Sequence, residues 1–139
     1  MDIEKLNADL TEIALLKNKL NDMDYNNPKY DDVEEELHDL EDDFMEEFGD
    51  ALEDILTDIH EELCPDNEVL LPIAYLANQY EVLDKDEDGK TLFDAKFNEG
   101  VIVDVDSIDD QISRLVLVPG PARILLQAGK KIKKELWVG

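Results

Sequence analysis

From Val33 to Leu63, apolar side chains return at every third or fourth residue through a stretch otherwise crowded with carboxylates. The series is Val33, Leu37, Leu40, Phe44, Phe48, Leu52, Ile55, Ile59 and Leu63. At helical periodicity these positions form one continuous stripe. Seventeen Asp and Glu lie between Asp31 and Glu62, and no Lys or Arg occurs from Tyr30 to Asp84. Like charges at helical spacing repel one another, so such a helix draws its stability from burial of the stripe. The remainder of the chain must therefore supply an apolar surface for it.

The segment before it supplies part of that surface. Ile3, Leu6, Leu10, Ile13, Leu16, Leu20 and Met23 recur at spacings of three and four, and Asp2 stands where an N-cap belongs. "NDMDYNNP", residues 21–28, interrupts the pattern with turn formers. Asn27 followed by Pro28 reads as an N-cap and first helical residue, with Asp31/Glu34 or Asp32/Glu35 as alternative capping pairs. Two stripes joined by a short polar loop predict an antiparallel helical hairpin. The second helix, closed by "CPDN" at 64–67, spans up to 36 residues from Pro28 to Leu63, or about 54 Å. Gly49 is its weak point, a place for a bend. The second helix outruns the first, so its end, roughly Leu52 to Leu63, needs cover from the rest of the chain.

Beyond residue 69 the period shortens. "QYEVLD", "KTLFDAKF", "GVIVDVD", "ISRLVLV", "ARILLQ" and "KIKKELWV" are short runs rich in β-branched and aromatic residues, separated by turn formers. "LVLVPGPARILL" is the clearest hairpin, and its strands are apolar on both faces, which places them centrally. "VLLPIAYLAN" fits either a strand or a short helix beginning at Pro72. The expected fold is α+β: an acidic helical hairpin over residues 1–66, then a small antiparallel β module, barrel or sandwich, over 67–139, packed on the end of the long helix.

Charge bounds the partners. The chain of 139 residues carries a formal net charge of −24, which repels nucleic acid and anionic membranes and attracts cations or basic proteins. Hydrophobic residues make up 43%, enough for a core. The sign reverses from Arg114 onward, where Arg114, Arg123, Lys130, Lys131, Lys133 and Lys134 face a single acid, Glu135. One Cys excludes an intrachain disulfide framework. With neither a leader-like N-terminus nor a membrane-length apolar run, the expected location is the cytoplasm.

Several groupings suggest ligands. In "DKDEDGKTLFDA", Asp84, Asp86 and Asp88 hold the first, third and fifth places of a calcium loop and Gly89 the sixth. The twelfth place is Ala95, which cannot ligate, and the flanks read as strands, so an EF-hand is excluded. A carboxylate-lined hairpin loop holding calcium through Asp84, Asp86 and Asp88 is the narrower reading; a solvated Asp/Gly turn is the plainer one. Glu35 and His38 form an E-x-x-H pair of the kind used in di-iron bundles, but the stripe runs beside His38, which reads as a surface residue. His60 and Cys64, with Asp66 nearby, could open a zinc site, yet no second Cys completes it. A packed Cys at a helix end is the better reading. Ser107 and Ser113 lack a nucleophile context, and no phosphate-binding glycine motif occurs. The chain leans away from catalysis.

The tip "DMDYNNPKYDD" offers Asp22, Asp24, Asn27 and Tyr30. With a helical hairpin ahead of a β-rich half, this layout resembles the transcript-cleavage factors that enter the secondary channel of bacterial RNA polymerase. The resemblance implies tip carboxylates, Asp22 and Asp24, holding a catalytic magnesium. It covers about ten residues, and Pro28 and Lys29 stand where that family has Ala and Glu.

The acidic helix is the feature that most departs from an ordinary surface, which would interleave Lys with Glu. It points to a non-enzymatic interaction or regulatory protein. Glu34, Glu35, Asp39, Asp42, Asp43, Glu46, Asp50 and Asp54 are the residues expected to meet a basic protein surface. A carboxylate-studded rod can stand in for a phosphate backbone before a nucleic-acid-binding protein. Homodimerisation is favoured by the stripes and opposed by the charge.

Overall fold

The computed structural model describes residues 1–108 and 110–139. Two antiparallel helices come first, α1 (Ile3–Asp22) and α2 (Tyr30–Leu63). Asp2 caps α1, its side chain accepting from the Lys5 amide at 3.1 Å. The start of α2 differs from expectation. Its N-cap position is Lys29, which makes no side-chain cap. Asn27 acts one step earlier, accepting from the Lys29 amide at 2.9 Å in an Asx turn that leads into the helix. Once begun, α2 runs unbroken through Gly49.

The stripes are buried much as their spacing requires. Leu6, Leu10 and Ile13 of α1 face Leu37, Phe44 and Phe48 of α2 in one cluster. Burying side chains of this size contributes about 1.5–3 kcal/mol each. Along the last part of α2 the buried face rotates: Leu56 and His60 are buried, whereas Ile55 and Leu63 are only half-buried.

A single 3-10 turn, Pro72–Tyr75, follows, as one reading of the Pro72 segment anticipated. Six strands complete the chain: β1 (Glu81–Lys85), β2 (Thr91–Asp94), β3 (Val101–Val103), β4 (Ser113–Val118), β5 (Arg123–Ala128) and β6 (Ile132–Val138). The first two form a separate hairpin; the other four make an antiparallel meander in the order β3-β4-β5-β6. β4 and β5, the expected central pair, are buried on both faces.

Those two faces meet different neighbours. Leu115, Leu117, Ile124 and Leu126 join the cluster that contains Leu52, Leu56 and Ile59 of α2. The overhanging end of α2 is thus covered by the sheet and the 3-10 turn. Val116, Val118 and Leu125 point the opposite way, against Phe93 and Ala95 of the β1-β2 layer and Tyr80. The β module is therefore a lopsided sandwich of two and four strands. The layers approach closely at Gly120, where a Cβ would sit 2.6 Å from the Thr91 carbonyl oxygen. With φ at 72°, that position suits glycine on both counts.

Polar side chains fasten the layers. Asn7 Oδ1 accepts from the Gly120 amide at 2.8 Å. Asn18 brackets Tyr80, accepting from its amide and donating to its carbonyl, and Asn21 donates to the Asn78 carbonyl at 2.6 Å. Along its whole length, then, α1 is tied to the β module. Beyond the short β3, Leu76 bridges to Leu117 in parallel, and the Tyr80 hydroxyl donates to the Leu117 carbonyl at 2.7 Å. These contacts occupy an edge of β4 that would otherwise lie open. No helix among the described residues is long and apolar enough to cross a membrane.

Candidate functional site

The outer side of α2 is the most unusual surface of the molecule. Burial of Leu37, Phe44, Phe48 and Leu52 on the inner side turns the intervening residues outward. Glu34, Glu35, Asp39, Asp42, Asp43, Glu46, Asp50 and Asp54 are all exposed. Among the described residues, Glu47 alone of the seventeen carboxylates of this helix is in an ion pair, with Lys5. Lys5 also meets Asp9 at 3.1 Å and lies 5.6 Å above the ring of Phe48. Together Glu47 and Asp9 hold its ammonium above the usual lysine range.

The basic C-terminal segment does not neutralise this face. Lys133 pairs instead with Asp94 at 2.7 Å, and among the described residues no other cation of that segment is in an ion pair. Intrachain compensation between the acidic helix and the basic tail is not how the fold uses either one.

The other sequence candidates are placed as follows. His38 is exposed, as its position beside the stripe required. His60 and Cys64 are both buried at the end of α2. Each ring nitrogen of His60 is engaged, Nδ1 at 3.1 Å from the Asn67 carbonyl and Nε2 at 2.8 Å from the Tyr75 hydroxyl. Burial, reinforced by the charge of Asp104, pushes the Cys64 thiol up, so it stays protonated and poorly nucleophilic. The pair is a packed helix terminus.

In the Asp loop, Asp84 lies within β1 and Asp86 begins the turn. Asp86 Oδ1 accepts from the amides of Asp88 and Lys90, both at 2.9 Å, and Gly89 has a φ of 78°. One oxygen of Asp86 is thus committed to turn geometry. Ala95, the twelfth residue of the loop motif, is fully buried between the sheets. Among the described residues, no three His, Cys, Asp or Glu side chains gather closely enough to hold a metal ion.

At the hairpin tip Asp22 and Asp24 are exposed, and Asp24 accepts from the Asn26 amide at 3.2 Å. Tyr25, 79% exposed, packs its ring 5.3 Å from that of Tyr30. The tip is exposed, but the hairpin behind it lies along the β module instead of projecting from it.

Sequence reading missed the buried polar groups. Arg123 donates to the carbonyls of Pro119, Pro121 and Phe93 at 2.7–2.9 Å, while Gln127 donates to the Lys96 carbonyl at 2.9 Å. Their one sequence signal is position: both stand in the otherwise apolar run "ARILLQ". No family model matches this chain, and no curated protein or solved structure is significantly similar to it.

Proposed function

We propose that this chain is a non-enzymatic interaction protein whose α2 face docks on a basic protein surface. One observation carries the reading: a helix of 34 residues, held by its apolar stripe, presents carboxylates that the chain leaves almost wholly without cations of its own. Surface charge of this density ordinarily mixes signs. A fixed array of one sign speeds encounter with an opposite array and makes association strongly dependent on salt. Nucleic-acid-binding proteins are the class of partner with the matching surface. Their own ligand is a rod of regularly spaced negative charge.

The test is affinity purification from the native cell at low and high salt. It compares the wild type with a variant carrying Asp39→Asn, Asp42→Asn, Asp43→Asn, Glu46→Gln and Asp50→Asn. The expected result is a basic partner retained at low salt, released at high salt and absent from the variant. If the variant keeps every partner of the wild type, the acidic face is not a docking surface.

A further inference from the structure

A cavity of about 510 Å³ opens beside β3, between that edge strand and the chain leading into β4. Its walls carry Ile102, Ile108 and Ile112 together with Asp104 and Asp106. Ile112, 61% exposed, is the most exposed large aliphatic side chain among the described residues, and Ile102 is 57% exposed. Two β-branched aliphatics left in water in one groove raise the free energy of the unbound protein, and cover by a partner would remove that cost.

The groove is also negative. Asp104 and Asp106 are exposed, and among the described residues neither is in an ion pair. Asn67 donates to Asp104 at 3.4 Å, a neutral contact that leaves the charge in place. The nearest cation in register is Arg114, which stands opposite Ile102 on β4. Its guanidinium turns to the Gly100 carbonyl at 3.5 Å, past the other end of β3. Val103, also in the cavity wall, is buried with Ile59 and Cys64 at the end of α2, where Glu61 and Glu62 are exposed. The groove thus adjoins the C-terminal end of the acidic helix.

A second copy of the chain would set Asp104 and Asp106 against a molecule of net charge −24, so the occupant suited to this groove is basic. Charge complementarity mainly sets encounter rate and specificity, whereas affinity comes largely from a few apolar or arginine anchors that become buried. The α2 face offers the first of these and lacks the second. We propose that the groove receives a large aliphatic side chain, flanked by Lys or Arg, from an exposed segment of the basic partner. Ile102 and Ile112 cover the aliphatic group, and Asp104 and Asp106 meet the flanking cations. The proposal rests on the acidic-face reading for the sign of the partner and adds the side chain that anchors it.

The test follows the methyl resonances of Ile102 and Ile112 in the full chain while one of three capped peptides is added at matched ionic strength. The peptides are Lys-Lys-Leu-Lys-Lys, Lys-Lys-Ser-Lys-Lys and Glu-Glu-Leu-Glu-Glu. The leucine peptide with lysine flanks should give saturable shifts at both methyls. The serine peptide should bind about tenfold more weakly, the worth of burying one leucine side chain, and the glutamate peptide should not bind. Ile112→Ser should lower the leucine peptide to the serine level, and Asp106→Asn should weaken both lysine peptides alike. The α2 variant with five neutralised acids should keep the leucine–serine contrast, so loss of native partners by that variant and failure of the groove are separate results. Equal binding of the leucine and serine peptides by the wild type, absence of shifts at Ile102 and Ile112, or binding of the glutamate peptide overturns the proposal. These wild-type comparisons decide it even if a substitution disturbs the fold.

Discussion

The Nε2 atom of His60 lies 2.8 Å from the hydroxyl oxygen of Tyr75, and each of the two has a further backbone partner. The Asn67 carbonyl can only accept, so Nδ1 carries a proton toward it. The Leu70 amide donates to the Tyr75 oxygen at 3.1 Å. With the ring in its Nδ1–H tautomer, Nε2 accepts the tyrosine proton. This chain of three hydrogen bonds joins the end of α2 to the 3-10 turn inside a buried site. Tyr75→Phe would keep the ring and leave both Nε2 and the Leu70 amide unpaired. It should lower unfolding free energy by about 2 kcal/mol, read as a shift in urea midpoint at unchanged slope. A change within error would show that water replaces the hydroxyl without loss.

On the outer face of α2, Asp43 stands four residues from both Asp39 and Glu47, so Asp43→Lys exchanges two repulsive spacings for two attractive ones. The residue is exposed and displaces no packing. The variant should gain about 1 kcal/mol at low ionic strength, and the gain should shrink in about 1 M salt. Thermal unfolding at both salt concentrations checks this. A gain that ignores salt would assign the effect to helix propensity.

Gly49 is buried in the middle of α2, yet the side-chain atoms nearest to a Cβ built there all belong to Met45, with Cε at 3.1 Å. Met45 is half-buried and its thioether can turn aside. Gly49→Ala should therefore stabilise the protein by about 0.5–1 kcal/mol through helix propensity. Destabilisation instead would show that Met45 is locked in place.

The stripes, the hairpin and all six strands were legible because each rests on local period and turn chemistry. What was not legible depended on contacts distant in sequence. Leu56 and His60 are buried in place of Ile55 because the overhang of α2 packs on the sheet and the 3-10 turn, not on α1. No local pattern encodes that change of neighbour. Arg123 and Gln127 are buried because the β1-β2 layer brings the carbonyls of Phe93 and Lys96 to them across some thirty residues. At the candidate site the outcome was the reverse. The acidic residues could be named from sequence because exposed charges opposite a buried stripe follow from helical periodicity alone.

Stability should fall at alkaline pH in two stages. Burial, then the charge of Asp104, raises the Cys64 thiol above its ordinary value of 9.0. Burial likewise raises the Tyr75 and Tyr80 hydroxyls above 10.0. In each case the native state holds a proton that the unfolded chain releases. The unfolded state thus binds fewer protons, and unfolding free energy declines with pH. The contribution of each group is complete below its unfolded value and is lost as pH rises toward its folded one. Unfolding free energy from urea titrations should therefore be level up to about pH 9, then decline by as much as about 1.4 kcal/mol per pH unit for the one group in its window. Above about pH 10 the two tyrosines steepen the fall. Cys64→Ala, although less stable throughout because it empties a buried site, should stay level to about pH 10. A Cys64→Ala profile parallel to the wild type between these pH values would remove the thiol from the account.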